Sequence, residues 1–228
     1  QSRGGGGPHN GPWFRAARRL IRFPPCRRVA ITGQSPDGWM QMTRDTTQRL
    51  PAPDPASYSP RQREIHDAIA SGPRGSVRGP LAIWLHRPEL AARAQELGRY
   101  CRYDSALPPR LSELAILTMA RHWGAEYEWA AHKPEALKAG LAPELVEAIR
   151  THAAAPYADA AERVVHAVAR AVLDTRELPD ALYAEAVAVL GEEWLVDLVG
   201  VLGYYTLISM TLNVFRVPPP AGCAPELT

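Results

Sequence analysis

Cysteine is scarce in this chain. It occurs at positions 26, 101 and 223 only, and no two cysteines form a Cys-x-x-Cys pair. An odd, widely spaced set implies no disulfide framework and fits a reduced, cytoplasmic compartment. Cys101 as a reactive thiol or metal ligand competes with the ordinary reading of a partly buried, inert residue. Uninterrupted apolar runs of membrane-spanning length are missing too. The longest candidate, 194–217, is broken by Asp197, Gly200, Gly203, Ser209 and Asn213, and reads as a buried helix. There is also no basic stripe in the body of the chain. Of the formal net charge of +2, residues 1–39 supply +6 through seven arginines and a single acid, so the remainder carries −4. Nucleic acid and membrane are therefore not expected partners.

The first part of the chain lacks regular patterning. Gly4 to Gly7 form a glycine run, and Pro24, Pro25, Pro51, Pro53, Pro55 and Pro60 interrupt any element. Residues 1–58 are expected to be a disordered or extraneous extension. Met40 or Met42 could serve as an alternative start, and the arginine-rich leader also has the composition of a transit peptide. Residues 59–220 are expected to fold and 221–228 to form a tail.

Alternating strand patterns are absent from that body. What is present is helical punctuation. Ser59-Pro60 opens a helix over 61–70, and Pro88 opens one reaching 100. Residues 111–123 are apolar on nearly all sides. Gly124 separates them from a helix over 125–139 that stops at Gly140. Pro143 opens a helix to about 152. Further helices cover 158–173, 179–190 and 192–215. This predicts an all-α, compact multi-helix bundle of about seven or eight helices.

Three residues carry the chemistry. Glu113 is followed by Leu114, Ala115, Ile116 and Leu117, so its carboxylate sits on a largely buried helix, where it needs a partner. A structural capping role is the plainer alternative. Glu128 and His132 stand four apart and share a helix face. A carboxylate beside an imidazole raises its pKa and suits general acid/base work. An exposed surface pair is the plainer reading here. No second cluster offers metal-ligand spacing, so neither metal nor cofactor is expected.

The stretch from about 80 to 218 resembles the carboxymuconolactone decarboxylase / alkylhydroperoxidase D-like family. The resemblance rests on Arg110-Leu111-Ser112-Glu113-Leu114-Ala115-Ile116-Leu117, on Glu126-Tyr127-Glu128-Trp129-Ala130-Ala131-His132 and on Ala139-Gly140-Leu141 with Glu144. Tyr204-Tyr205, Asn213 and Val217-Pro218 agree. It implies the helical scaffold of that family, a trimer or a hexamer built from trimers, and a site near subunit contacts. The peroxidase branch carries a Glu, two cysteines and a His, whose positions here fall on Glu113, Ala125, Glu128 and His132. Both thiols are gone. The resemblance therefore implies the decarboxylase branch, with Glu113, Glu128 and His132 as catalytic residues acting by proton transfer on a small carboxylated or lactone substrate. Peroxidase or peroxiredoxin activity is what the family label would also imply, and a non-catalytic helical oligomer is the third reading. Arg121, or Arg110, is the expected holder of a substrate carboxylate. Tyr127, Trp129 and His122 are the expected neighbours of the substrate.

Overall fold

The computed structural model describes residues 47–227. Among them there is no strand, and eight α-helices follow in chain order: α1 (Pro60–Ala70), α2 (Pro80–Trp84), α3 (Pro88–Arg99), α4 (Pro109–Trp123), α5 (Glu126–Lys138), α6 (Pro143–Thr151), α7 (Ala160–Thr175) and α8 (Asp180–Phe215). A short π-helical turn, Tyr100–Asp104, extends α3.

The bundle is built around α4. Leu111 to Ala120 are all buried on this helix, which packs against α5, α6, α7 and α8. A helix apolar on every side belongs in the middle of a fold. Proline sets many of the starts. Pro60, Pro80, Pro88, Pro109 and Pro143 each occupy a first helical position, where their fixed φ and missing N–H cost nothing. Ser59 and Gln62 close a reciprocal capping box at the head of α1. At the end of α4, Gly124 takes the left-handed conformation (φ 56°), and the Ala125 amide reaches back to the Ala120 carbonyl at 2.9 Å. That turn folds α5 directly back onto α4.

The last helix carries the rest of the core. Gly191 (φ 78°, ψ 166°) breaks it where the sequence predicts two helices. Beyond the break, Leu195, Leu198, Val201, Leu202, Tyr205, Ile208 and Leu212 face inward. By length and composition α8 could cross a membrane, yet 61% of its most apolar window is buried inside the fold. Trp84 on α2 donates its indole N–H to Thr211 Oγ1 at 3.0 Å, which ties the early helices to the last.

Two boundaries differ from expectation. Residues 47–58, assigned to the extension, lie against the body. The Arg49 amide donates to the Phe215 carbonyl at 2.9 Å, and His86 Nε2 bonds the Pro51 carbonyl at 2.9 Å. The expectation for residues 1–46 falls outside the described residues. The 221–228 tail is gripped rather than loose. Glu126 accepts both the Glu226 and Leu227 amides at 2.9 Å, while Lys133 Nζ meets Glu226 Oε2 at 2.5 Å. The sequence offers no periodic signal for such a clasp, which depends on single side chains.

Candidate active site

The α4–α5 hairpin brings Glu113, Glu128 and His132 together. His132 Nδ1 lies 2.7 Å from Glu113 Oε2, and Nε2 lies 2.9 Å from Glu128 Oε1. The second bond is the i,i+4 pairing along α5; the first needs the Gly124 turn. His132 is 2% exposed, Glu128 4% and Glu113 7%. When doubly protonated, the ring donates through both nitrogens, to Glu113 and to Glu128. Burial opposes that charge, but the two carboxylates outweigh it and raise the His132 pKa to about 9. Tyr205 stands edge-on to the imidazole, with ring centroids 5.2 Å apart. Burial, then Glu128, drive its phenol well above the ordinary value, so it stays neutral.

Glu128 and His132 open onto a cavity of about 500 Å³, whereas Glu113 stands behind them. This volume falls in the range of small-molecule sites. Tyr127, Tyr204, Tyr205 and Ile208 supply walls, and three arginines, Arg74, Arg78 and Arg102, line it as well. Arg102 comes from the π-helical turn. Burial works against its charge, and Tyr205, Tyr103, Glu113 and Glu128 more than compensate. Arg74 Nη2 and the Tyr204 hydroxyl are both buried at this wall, where burial raises the phenol's pKa and the guanidinium opposes the rise. Arg74 and Arg102 both approach the Tyr103 ring, at 6.0 and 5.5 Å from its centroid. Pro134 has no N–H to offer, so the Ala130 carbonyl beside the cavity lacks its usual i+4 donor.

Of the expected substrate neighbours, Tyr127 lines the cavity. Its ring packs tightly over Gly79 (φ 58°), where an added Cβ would lie 2.6 Å from it. The other three are elsewhere. Arg121 lies two turns beyond Glu113, about 12 Å along the axis, and bonds the Arg150 carbonyl at 2.6 Å and the Leu227 carbonyl at 3.3 Å. His122 points to the face of α4 opposite Glu113, about 180° around the helix, and its Nδ1 is 3.4 Å from Asp174. Trp129, one step past Glu128, turns into the core and donates to Glu226 Oε2 at 3.2 Å. Arg110 is held by Asp159 at 2.6 Å and by Glu162. The sequence reading missed Arg74, Arg78 and Arg102. They lie outside the hairpin motif, and only tertiary packing brings them to it.

Cys101 is buried, 2% exposed, and absent from the cavity lining; burial, then Asp197, push its thiol up. Cys223 is exposed and does line the cavity, on the docked tail. Cys26 lies outside the described residues. Among the described residues no group of three or more His, Cys, Asp or Glu is arranged to hold a metal ion.

The all-helical bundle thus carries a carboxylate–imidazole–carboxylate cluster built on two paired helices. Residues 88–171 match the model of the carboxymuconolactone decarboxylase family. Solved structures share the fold at low identity. A protein of unknown function from Agrobacterium tumefaciens, described as a putative antioxidant defence protein AhpD, is 19% identical with a TM-score of 0.56, over 63% of this chain and 99% of that one. An uncharacterized peroxidase-related protein from Silicibacter is 17% identical with a TM-score of 0.62, over 80% and 96%. A cysteine-to-alanine variant of the debrominase Bmp8, in complex with 2,3,4-tribromopyrrole, is 14% identical with a TM-score of 0.62, over 77% and 93%. Comparison with curated proteins gives no match.

Proposed function

We propose that the chain is a cofactor-independent acid/base enzyme of the decarboxylase type, acting on a small carboxylated or lactone substrate. The observation that carries this reading is the His132 imidazolium, bracketed by Glu113 and Glu128 in the wall of a cavity that three arginines line. The arginines hold the substrate carboxylate. Guanidinium forks suit a planar carboxylate, and no carboxylate pairs with any of the three among the described residues. Loss of one carboxylate as carbon dioxide leaves its electron pair on the neighbouring carbon, spread onto an adjacent carbonyl oxygen. The imidazolium then supplies the quenching proton, directly or through Glu128, and Glu113 holds the ring by its Nδ1–H. An isomerase would use the same proton in both directions.

A panel of small carboxylated lactones, assayed for carbon dioxide release and for deuterium uptake from solvent, tests the proposal. Glu128→Gln keeps the shape of the side chain and is expected to lower kcat by about 100-fold or more. Unchanged turnover in both Glu128→Gln and His132→Asn would overturn it. The thiol-peroxidase alternative has one supporting observation, Cys223 at the cavity. A peroxidase would lose its activity in Cys223→Ser, which the acid/base reading expects to be harmless.

The assembly belongs to the same proposal. Val196, Val199, Met210 and Val214 are exposed along one side of α8, with Val196 71% exposed, and Gly200 and Gly203 leave open space between them. A helix side of this kind suits another copy of the chain, in a trimer or hexamer.

A further inference from the structure

A second cavity, of about 360 Å³, lies between α4, α6 and α7, apart from the imidazole centre. Arg121 and Thr118 reach it from α4, His152 and Ile149 from the end of α6, and His166 and Arg170 from α7. Every ionisable group that lines it is a base. His152 is exposed and Arg121, His166 and Arg170 are half-buried, so four bases share one partly open space, and a negative group entering it would relieve their mutual repulsion.

Their existing bonds leave capacity unused. Arg121 spends Nε and Nη1 on two backbone carbonyls, which do not neutralise it, and no carboxylate pairs with it among the described residues. Arg170 gives Nε and Nη2 to Asp174 Oδ2, while its Nη1 lies 3.5 Å from His152 Nδ1. His166 Nδ1 is 2.6 Å from the Tyr157 hydroxyl, so Nε2 remains. His152 itself caps α6 in the left-handed conformation (φ 58°), an uncommon backbone for a residue with a Cβ.

We propose that this cavity is a second binding site, for a phosphate-type oxyanion, free or carried on a small organic group. A tetrahedral dianion presents acceptors in several directions and can meet two guanidinium edges and two imidazoles at once. A flat monocarboxylate would satisfy one fork and leave the rest unmatched. The volume exceeds one ion, and Ala148 and Ile149 give an apolar wall for a substituent.

The bases of this cluster repel one another. Burial, then Arg121 and Arg170, push His152 below its ordinary value, against Asp174; burial, then Arg170 and His152, do the same to His166. The other charged groups nearby are His122 on α4, the Glu147–Arg150 pair on α6 and Asp174 on α7, which pairs with both Arg170 and His122. A bound dianion favours protonation of both imidazoles, so affinity falls as pH rises past their pKa values.

Calorimetric titration of the full chain with inorganic phosphate, sulfate and phenyl phosphate tests this. Sulfate keeps its charge, so its binding isolates the histidines: saturable one-to-one binding is expected, about tenfold weaker near pH 8 than near pH 6. Arg170→Gln and His166→Gln should each weaken it, again by about tenfold, with the His152 ring signals no longer moving on titration. Arg102→Gln, in the first cavity, should leave it unchanged. Phenyl phosphate binding tighter than phosphate supports a phosphomonoester ligand, and equal binding supports the free ion. Absence of saturable binding for all three probes, or binding lost in Arg102→Gln but kept in Arg170→Gln, would overturn the proposal.

Discussion

His132 is where charge, burial and geometry meet. Its folded pKa, near 9, exceeds the ordinary value of 6.5, so the folded state holds the proton more tightly than the unfolded chain. The resulting stabilisation is complete below about pH 6.5 and fades as pH rises through about 9. Thermal melting from pH 6 to 9.5 should show a declining Tm, and His132→Asn should flatten that decline. A wild-type Tm with no such decline would refute the coupling. Glu128→Gln removes one of the two carboxylates holding the proton, so the decline should move to lower pH. At this scale the sequence was informative about partners but not about neighbours. The spacing of Glu128 and His132 gave their bond directly, because i,i+4 contacts follow from helix geometry alone. Arg121 and Trp129 were misplaced because closeness in sequence does not fix the direction in which a side chain leaves its helix.

At the scale of elements, the helices were legible wherever proline or glycine marked an end. Pro88, Pro109, Pro143, Gly124 and Gly140 all do so. Two elements were not. The short α2 carries no period long enough to distinguish it from an apolar loop, and the π-helical turn after α3 has no local signal at all. Yet that turn delivers Arg102 to the cavity, in keeping with the frequent occurrence of π turns at functional sites. The α3–α8 contact is equally specific. A Cβ at Gly98 would collide with the Tyr204 ring and with Arg74 Nη2. Gly98→Ala would ordinarily gain about 1 kcal/mol of helix propensity. Here it should instead lower Tm, because Tyr204 is buried and its movement also displaces a cavity wall. A higher Tm in this variant would show that the contact yields easily.

At the scale of the whole molecule, α8 has two roles. Its inner side completes the core, and its outer side leaves valines and glycines exposed, the side proposed above to meet another copy. Val199→Lys places a charge on that outer side without touching the cavity. If the proposed assembly forms through α8, light scattering should report a smaller particle for this variant than for the unmodified chain, and an unchanged mass would remove α8 from the interface.

The connection between α6 and α7 is largely exposed, while the helices on either side of it stay tied by Trp84 with Thr211, Arg49 with Phe215 and the wide α4–α8 contact. A protease that nicks residues 153–158 would therefore release nothing. The two fragments would travel as one species until a denaturant separates them, and coexpressed halves divided there should reassemble unaided.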